Sequence, residues 1–114
     1  MKPATGQHFL IDLTGCKHIP CTGYEYYPVL DKICDLANLT IMTRLHYQFH
    51  PIGTTIIYVL GESHLTINDY IENQNVAFDI YSCKKIIKTT IIHNLLSNFL
   101  CSTTTHTRLI NRLN

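Results

Sequence analysis

The feature that most constrains the fold is a long apolar stripe with helical spacing in the last third of the sequence. Between positions 84 and 100 the apolar residues recur every four positions, with two more beside them: Ile87, Ile91, Leu95 and Phe99, then Ile92 and Leu96. Apolar residues at this spacing share one face of an α-helix, so the pattern predicts an amphipathic helix. Such a helix needs an apolar layer to cover, and we expect it to lie on a β-sheet.

The remaining segments supply a second helix and the strands of that sheet. Between residues 27 and 39, Val29, Leu30 and Ile33 fall on one helical face, which predicts a shorter helix. Strands are predicted from β-prone composition or alternation over residues 8–13, 40–49, 54–60, 65–67 and 76–82. The polar residues 68–75 are expected to form a loop. Residues 103–113 are expected to be either an edge strand or a loose tail.

The order β-α-β-β-β-α-(β) predicts an α+β fold, a two-layer α/β sandwich whose mainly antiparallel sheet carries two helices on one face. The length of 114 residues predicts a single domain over residues 1–114. Two helices leave the other sheet face uncovered. We therefore expect that face to meet a partner in a homodimer.

Composition excludes several classes of protein. Apolar residues make up 46% of the chain and charged residues 15%, with a net charge of +1. This composition is globular and gives no basic field, so nucleic acid is not an expected partner. No apolar run reaches the ~18 residues that span a bilayer, which predicts a cytoplasmic protein without a membrane partner. Five cysteines without a CxxC pair indicate neither a disulfide framework nor a zinc knuckle.

Familiar catalytic motifs are absent. The glycines are isolated and form no phosphate-binding string, which argues against a P-loop nucleotide site. The serine in G-E-S-H at 61–64 lacks the strand-turn-helix context of a hydrolase nucleophile. His46 and His50 would lie about 13 Å apart on a strand at ~3.3 Å per residue, so no metal site is predicted.

Several separate blocks nevertheless share their order and spacing with one enzyme family. They are F-H-P-I-G at 49–53, E-S-H-L-T-I at 62–67, Glu72, and D-I-Y-S-C at 79–83. With these blocks the chain resembles the prokaryotic S-adenosylmethionine decarboxylases, whose pattern runs F-x-P-x-G, E-S-H-[LI]-[ST]-I-H, P-E and D-[LIV]-[FY]-[ST]-C. The opening G-x-H-x-x-x-D-x-x-x-C at 6–16 fits the family as well, so the resemblance covers nearly the whole chain.

The resemblance implies a proenzyme that cleaves its own backbone between Glu62 and Ser63. The Ser63 hydroxyl would attack the preceding carbonyl, and elimination from the resulting ester would leave a pyruvoyl group, the cofactor, at position 63. The products would be a β chain of residues 1–62 and an α chain of residues 63–114. In the mature enzyme this cofactor forms a Schiff base with the substrate amine and accepts the electrons released with carbon dioxide.

The resemblance also assigns roles in the mature enzyme to three further residues. Cys83 matches the acid that reprotonates the substrate carbon, a role that a thiol can fill. Glu72 matches the carboxylate that holds the ribose hydroxyls of S-adenosylmethionine. Phe49 matches the aromatic ring that stacks on its adenine.

Two positions tied to processing depart from the family pattern. Thr55 stands where the family has a serine that assists processing, and the hydroxyl is kept. Asn68 stands where the family has a histidine that acts in the elimination, and an amide cannot take up a proton near neutral pH. Asp69 follows and could act as a base instead, a weak one with an unperturbed pKa of ~4.

Three hypotheses stay open at this point. The first is decarboxylation of S-adenosylmethionine for spermidine synthesis, in a homodimer with active sites at or near its interface. The second is decarboxylation of ornithine or arginine on the same scaffold, because N-D-Y-I at 68–71 departs from the family's usual H-T-[WY]-P. The third is an unprocessed, catalytically silent homologue that binds substrate or pairs with an active subunit, as Asn68 suggests.

Overall fold

A computed structural model describes residues 5–113, in which two α-helices pack on a six-stranded sheet. The strands are β1 (Gly6–Thr14), β2 (Ile41–Gln48), β3 (Thr54–Leu60), β4 (Ser63–Tyr70), β5 (Asn75–Ser82) and β6 (Thr104–Arg112). The helices are α1 (Tyr27–Leu36) and α2 (Thr89–Leu100), and single 3₁₀ turns lie at Gly23–Tyr26 and Ile71–Asn73. The strand order is β2-β3-β4-β5-β1-β6, and all neighbouring strands are antiparallel.

The core lies between the two helices and one face of the sheet. In the central strands every second residue is buried, as with Ile56 and Tyr58 in β3 and Leu65 and Ile67 in β4. The buried helix residues are Leu30, Ile33 and Cys34 of α1, and Ile92, Leu96 and Leu100 of α2. Full burial of each such aliphatic side chain contributes about 1.5–3 kcal/mol. The predicted α+β sandwich with a mainly antiparallel sheet is confirmed.

The second face of the sheet, here called the open face, has no covering layer within residues 5–113. Large apolar side chains on it are exposed by 51% at Leu45, 63% at Tyr47, 43% at Val59 and 43% at Ile110. Strand pairing places these residues on the face that carries Thr55 and not on the face of the core. Leu45, Tyr47 and Val59 lie on the neighbouring strands β2 and β3, whereas Ile110 lies on β6 at the opposite edge of the sheet. Exposed apolar side chains clustered as on β2 and β3 are typical of an interaction site.

Strand β4 extends further than the sequence pattern predicts. A loop is predicted over residues 68–75, whereas β4 continues through Tyr70 and β5 already begins at Asn75. The polar residue Asn68 is accommodated because β4 lies between two strands, where Asn68 pairs with Thr55 of β3 and Ala77 of β5. Both strands satisfy its backbone groups, which a polarity pattern does not reveal. The prediction of a loop was therefore wrong for the first three of these residues and for the last.

The ends of the helices also differ from the prediction. Helix α1 ends at Leu36 and not at residue 39, because Asn38 adopts a φ of 56° that an α-helix does not accept. Helix α2 begins at Thr89, after Lys88 with a φ of 57°. At 10 and 12 residues, α1 and α2 are too short to cross a bilayer, and residues 5–113 contain no longer helix.

The last segment of the described chain is a strand and not a loose tail. Residues Thr104–Arg112 form β6, which pairs with β1 over the whole of Gly6–Thr14. The long register supplies backbone hydrogen bonds along all of β6. This pairing decides between the two alternatives that the sequence leaves open.

Candidate active site

The residues around the predicted scissile bond meet at one end of the sheet. A tight turn at Gly61 and Glu62 joins β3 to β4, and Ser63 is the first residue of β4. Within the sheet Ser63 pairs with Ser82, the last residue of β5, which places Cys83 beside the turn. The fold therefore brings Glu62, Ser63 and Cys83 together.

The peptide group between Glu62 and Ser63 has two unusual features. The backbone N–H of Cys83 donates a hydrogen bond to the carbonyl oxygen of Glu62 at 2.9 Å. Ser63 has a φ of 156°, a conformation rare for residues with a side chain and one that costs on the order of 1–3 kcal/mol. A strained peptide whose carbonyl oxygen already accepts an N–H donor is suited to nucleophilic attack at its carbonyl carbon.

The side chain of Glu62 is bound by residues that the sequence analysis did not single out. Thr40 donates to the carboxylate through its N–H at 2.9 Å and its hydroxyl at 3.1 Å. The Lys84 ammonium lies 3.7 Å from the same carboxylate. Burial raises the pKa of the Glu62 carboxyl, but these donors and the Lys84 charge outweigh it, so the pKa is lowered. Glu62 therefore stays ionised at neutral pH.

A second pair of predicted residues lies toward the other end of the same strands. Thr55 of β3 and Asn68 of β4 are direct neighbours on the open face. The Thr55 hydroxyl donates to the side-chain oxygen Oδ1 of Asn68 at 2.6 Å. An amide oxygen orients a hydroxyl in this way but does not accept its proton near neutral pH. The pair is positioned by its hydrogen bond and contains no base.

A cavity of about 420 Å³ opens beside Thr55 and Asn68. The side chains predicted to bind substrate, Phe49 and Glu72, line the same cavity, as do Tyr70 and Ile71. The volume is in the range of pockets that hold small organic molecules. The structure thus gathers Phe49, Thr55, Asn68 and Glu72 at one pocket. Its wall also contains Asp69 and Ile71, which with Asn68 depart from the family pattern.

These two groups of residues are not close together within one chain. Ser63 and Asn68 lie five positions apart on the same strand β4, which at ~3.3 Å per residue separates them by about 16 Å. Glu62, Ser63 and Cys83 form one group, and Phe49, Thr55, Asn68 and Glu72 form the other. A single chain does not bring the predicted processing residues to the predicted scissile bond.

Asp69 is unsuited to the role of base that its position next to Asn68 suggests. Successive strand residues point to opposite faces, and Asp69 is 6% exposed on the core side. Its carboxylate accepts the Tyr26 hydroxyl at 2.8 Å and the Thr54 N–H at 2.7 Å. Burial raises the pKa of Asp69, although these two hydrogen bonds lower it in part. Asp69 thus binds the first residue of β3, Thr54, at the wall of the cavity. Nothing in the sequence pattern predicts its other partner, Tyr26.

The histidines considered as metal ligands have other surroundings. Nδ1 of His46, on β2, forms a hydrogen bond with the Tyr27 hydroxyl at 2.8 Å. Across residues 5–113 no group of three or more His, Cys, Asp or Glu side chains is arranged to hold a metal ion.

Comparison with known proteins gives a consistent result. The profile of the family described as S-adenosylmethionine decarboxylase matches residues 7–113. A protein of Clostridium botulinum (strain Loch Maree / Type A3) named S-adenosylmethionine decarboxylase proenzyme is 33% identical over 82 residues, which cover 71% of each chain. A Picrophilus torridus protein of the same name is 33% identical over 84 residues, covering 73% of this chain and 65% of the relative.

The fold agrees with a solved structure. The crystal structure of the adenosylmethionine decarboxylase from Aquifex aeolicus superposes with a TM-score of 0.77 and covers 94% of this chain and 89% of that one. At 24% sequence identity this likeness supports the fold.

Proposed function

Because this chain belongs to the S-adenosylmethionine decarboxylase family, we propose that it is a proenzyme that cleaves itself between Glu62 and Ser63. The mature enzyme, of chains 1–62 and 63–114, then decarboxylates S-adenosylmethionine for spermidine synthesis in the cytoplasm. The observation that carries this proposal is the peptide group at the β3–β4 turn. Its carbonyl accepts the Cys83 N–H at 2.9 Å, and Ser63 holds a strained φ of 156°.

In the proposed cleavage the Ser63 hydroxyl oxygen adds to the carbonyl carbon of Glu62. The bond from that carbon to the Ser63 nitrogen breaks, and the hydroxyl proton passes to that nitrogen, which becomes a free amine. The Cys83 N–H stabilises the negative charge that develops on the carbonyl oxygen. Release of the strained φ favours the resulting ester. Solvent hydroxide then takes the proton from the Ser63 α-carbon, and the bond from the Ser63 β-carbon to the ester oxygen breaks. Residues 1–62 leave with a new main-chain carboxylate at Glu62. One water then replaces the nitrogen, which leaves as ammonia, and position 63 becomes a pyruvoyl group.

The residues around position 63 fit such a group, since the strained turn and the Cys83 donor lie where it would form. The pyruvoyl group would supply a ketone carbonyl that bonds the substrate amine and accepts the electrons released with carbon dioxide. Cys83, next to this position, returns a proton to the substrate carbon through its thiol. Phe49 stacks on the adenine, and Glu72 accepts hydrogen bonds from the ribose hydroxyls.

We place the complete active site at the interface of a homodimer. The separation of about 16 Å along β4 keeps Asn68 of one chain out of direct contact with Ser63 of that chain. We propose a two-fold axis through the open face that brings the cavity of one subunit to the scissile turn of the other. Because a two-fold contact is reciprocal, such a dimer has two equivalent active sites. The exposed apolar side chains Leu45, Tyr47, Val59 and Ile110 supply surface for such a contact.

The proposed function is tested by intact mass and by product release. On incubation the chain of 13.1 kDa is expected to give two fragments split between Glu62 and Ser63, the larger fragment carrying the first 62 residues. The processed protein is expected to release labelled carbon dioxide from S-adenosylmethionine and not from ornithine or arginine. Release from either amino acid instead would contradict S-adenosylmethionine as the substrate and would favour a changed cavity wall, in which Ile71 stands where the family has proline.

Mixed dimers test the shared active site. Ser63→Ala removes the pyruvoyl precursor and Glu72→Ala removes the ribose contact, so each variant alone is expected to be nearly inactive. Co-expressed in equal amounts, they form mixed dimers in which one of the two sites is intact. About a quarter of wild-type decarboxylation is then expected.

No recovery of activity in isolated mixed dimers would contradict a site built from two subunits. Sedimentation of the wild-type protein at micromolar concentration is the control, since a stable monomer would contradict the proposed homodimer.

One observation favours a second candidate function. The Thr55 hydroxyl donates a hydrogen bond to the amide oxygen of Asn68 at 2.6 Å, at the position where the elimination would need a base. The alternative is a silent homologue that binds substrate or pairs with an active subunit. A single uncut species after long incubation, with S-adenosylmethionine still bound by the folded protein, would support this alternative.

A further inference from the structure

The carboxylate of Glu62 is held at one site by two separate segments of the chain. Thr40, at the start of the segment that leads into β2, supplies an N–H at 2.9 Å to Oε1 and a hydroxyl at 3.1 Å to Oε2. Lys84, which follows Cys83, places its ammonium 3.7 Å from Oε2. The Glu62 side chain is only 15% exposed. Its orientation is therefore set by the protein and not by solvent.

The backbone on both sides of this side chain is tied to the same two segments. The N–H of Gly61 donates to the carbonyl of Thr40 at 2.8 Å, and the carbonyl of Glu62 accepts the N–H of Cys83 at 2.9 Å. The Lys84 ammonium also donates to the carbonyl of Asn38 at 2.8 Å. The ammonium thus joins the end of β5 to the segment that contains Thr40, with Glu62 between them.

These contacts limit rotation of the peptide group that is to be cut. With the Glu62 carboxylate and the Gly61 N–H both fixed, the direction of the Glu62 carbonyl can change only if several hydrogen bonds break. Attack on a carbonyl carbon requires a narrow range of distance and angle, and a displacement of about 1 Å can slow such a step by ~10²-fold. The cleavage described above uses Cys83 and Ser63 but leaves Thr40 and Lys84 without a role.

We propose that Thr40 and Lys84 are positioning residues for self-cleavage, which hold the ionised Glu62 side chain and so aim the Glu62 carbonyl at Ser63 and at the Cys83 N–H. This inference rests on the proposed function, because it concerns the same bond. In this proposal both residues act through the side chain of Glu62.

The test compares cleavage rates of purified proenzymes by intact mass. Thr40→Val removes the hydroxyl and keeps the branched shape, and Lys84→Met removes the charge and keeps the stem. Each is expected to slow cleavage by about tenfold or more. Thr40→Ser and Lys84→Arg keep the donors and are expected to stay within about threefold of wild type. The matched controls Thr90→Val and Lys85→Met, both exposed, are expected to have no effect.

A pH profile separates positioning from mere stabilisation of the fold. Loss of a donor raises the pKa of Glu62, so the carboxylate is protonated at a higher pH. In Thr40→Val and Lys84→Met the fall of the cleavage rate at acid pH is then expected to occur at a higher pH than in wild type. Urea unfolding of both variants checks that they are folded. Variants that unfold are replaced by Thr40→Ala and Lys84→Gln.

The outcomes distinguish this inference from the function on which it rests. If wild type is cleaved and both variants keep its rate and its acid limb, positioning by Thr40 and Lys84 is wrong and the proposed function stands. If wild type and the Asn68→His variant both stay uncut, the proposed cleavage fails and the inference fails with it.

Discussion

Replacing Ser63 with alanine is expected to leave one uncut chain and to bring decarboxylation below detection. Alanine has no oxygen to attack the Glu62 carbonyl, so no ester forms and no pyruvoyl group can follow. The fold should persist, because Leu65 and Ile67 of the same strand remain buried in the core. Intact mass under denaturing conditions and release of labelled carbon dioxide measure the two effects.

The matched control for Ser63→Ala is Ser97→Ala. Ser97 lies in helix α2, where its hydroxyl bonds that of Ser102 at 2.7 Å, away from the β3–β4 turn. This variant should be cut at the wild-type rate. Fragments of Ser63→Ala that are split between residues 62 and 63 would show that the bond is cut by another nucleophile or by a contaminating protease, and the proposed chemistry would fail.

The fold could be predicted from sequence wherever periodicity reflects burial. Ile92 and Leu96 identify α2 because these side chains face the core, whereas Ile87 and Ile91 of the row at four-residue spacing are exposed by 40% and 43%. Strand β5 alternates because one of its faces is buried. The pattern fails at Asn68 and Asp69, where polar side chains occur inside a central strand. Their partners, Thr55 in one case and Tyr26 and Thr54 in the other, belong to other elements, so local sequence holds no sign of them.

The candidate site was predictable in its residues and not in its arrangement. The blocks around Ser63, Asn68 and Cys83 identify side chains, but only the continuation of β4 through Tyr70 shows that Ser63 and Asn68 lie far apart. The contacts of Thr40 and Lys84 with Glu62 also depend on tertiary structure. Residues that act through a neighbour carry no motif of their own, so sequence analysis passes over them.

Replacing Asn68 with histidine is expected to accelerate self-cleavage by about 10²-fold, within the range of general acid–base catalysis. The imidazole would take the place of the amide that now accepts the Thr55 hydroxyl at 2.6 Å. Unlike the amide, a neutral imidazole can remove a proton, so the acceleration should grow as the pH rises past about 6.5. Cleavage rates at a series of pH values, measured by intact mass, check both the size and the pH dependence.

Two variants control for this exchange. Asn68→Gln keeps an amide at the position and should give no acceleration. Asn94→His adds an imidazole on the exposed side of α2 and should also leave the cleavage rate unchanged. Because Asn68 lies about 16 Å from Ser63 of its own chain, the new base is expected to act across the dimer, and the acceleration should disappear on dilution to monomers. No acceleration at any pH would mean that an amide suffices at position 68. Cleavage that appears only in Asn68→His would instead identify the natural chain as a silent homologue disabled by one side chain.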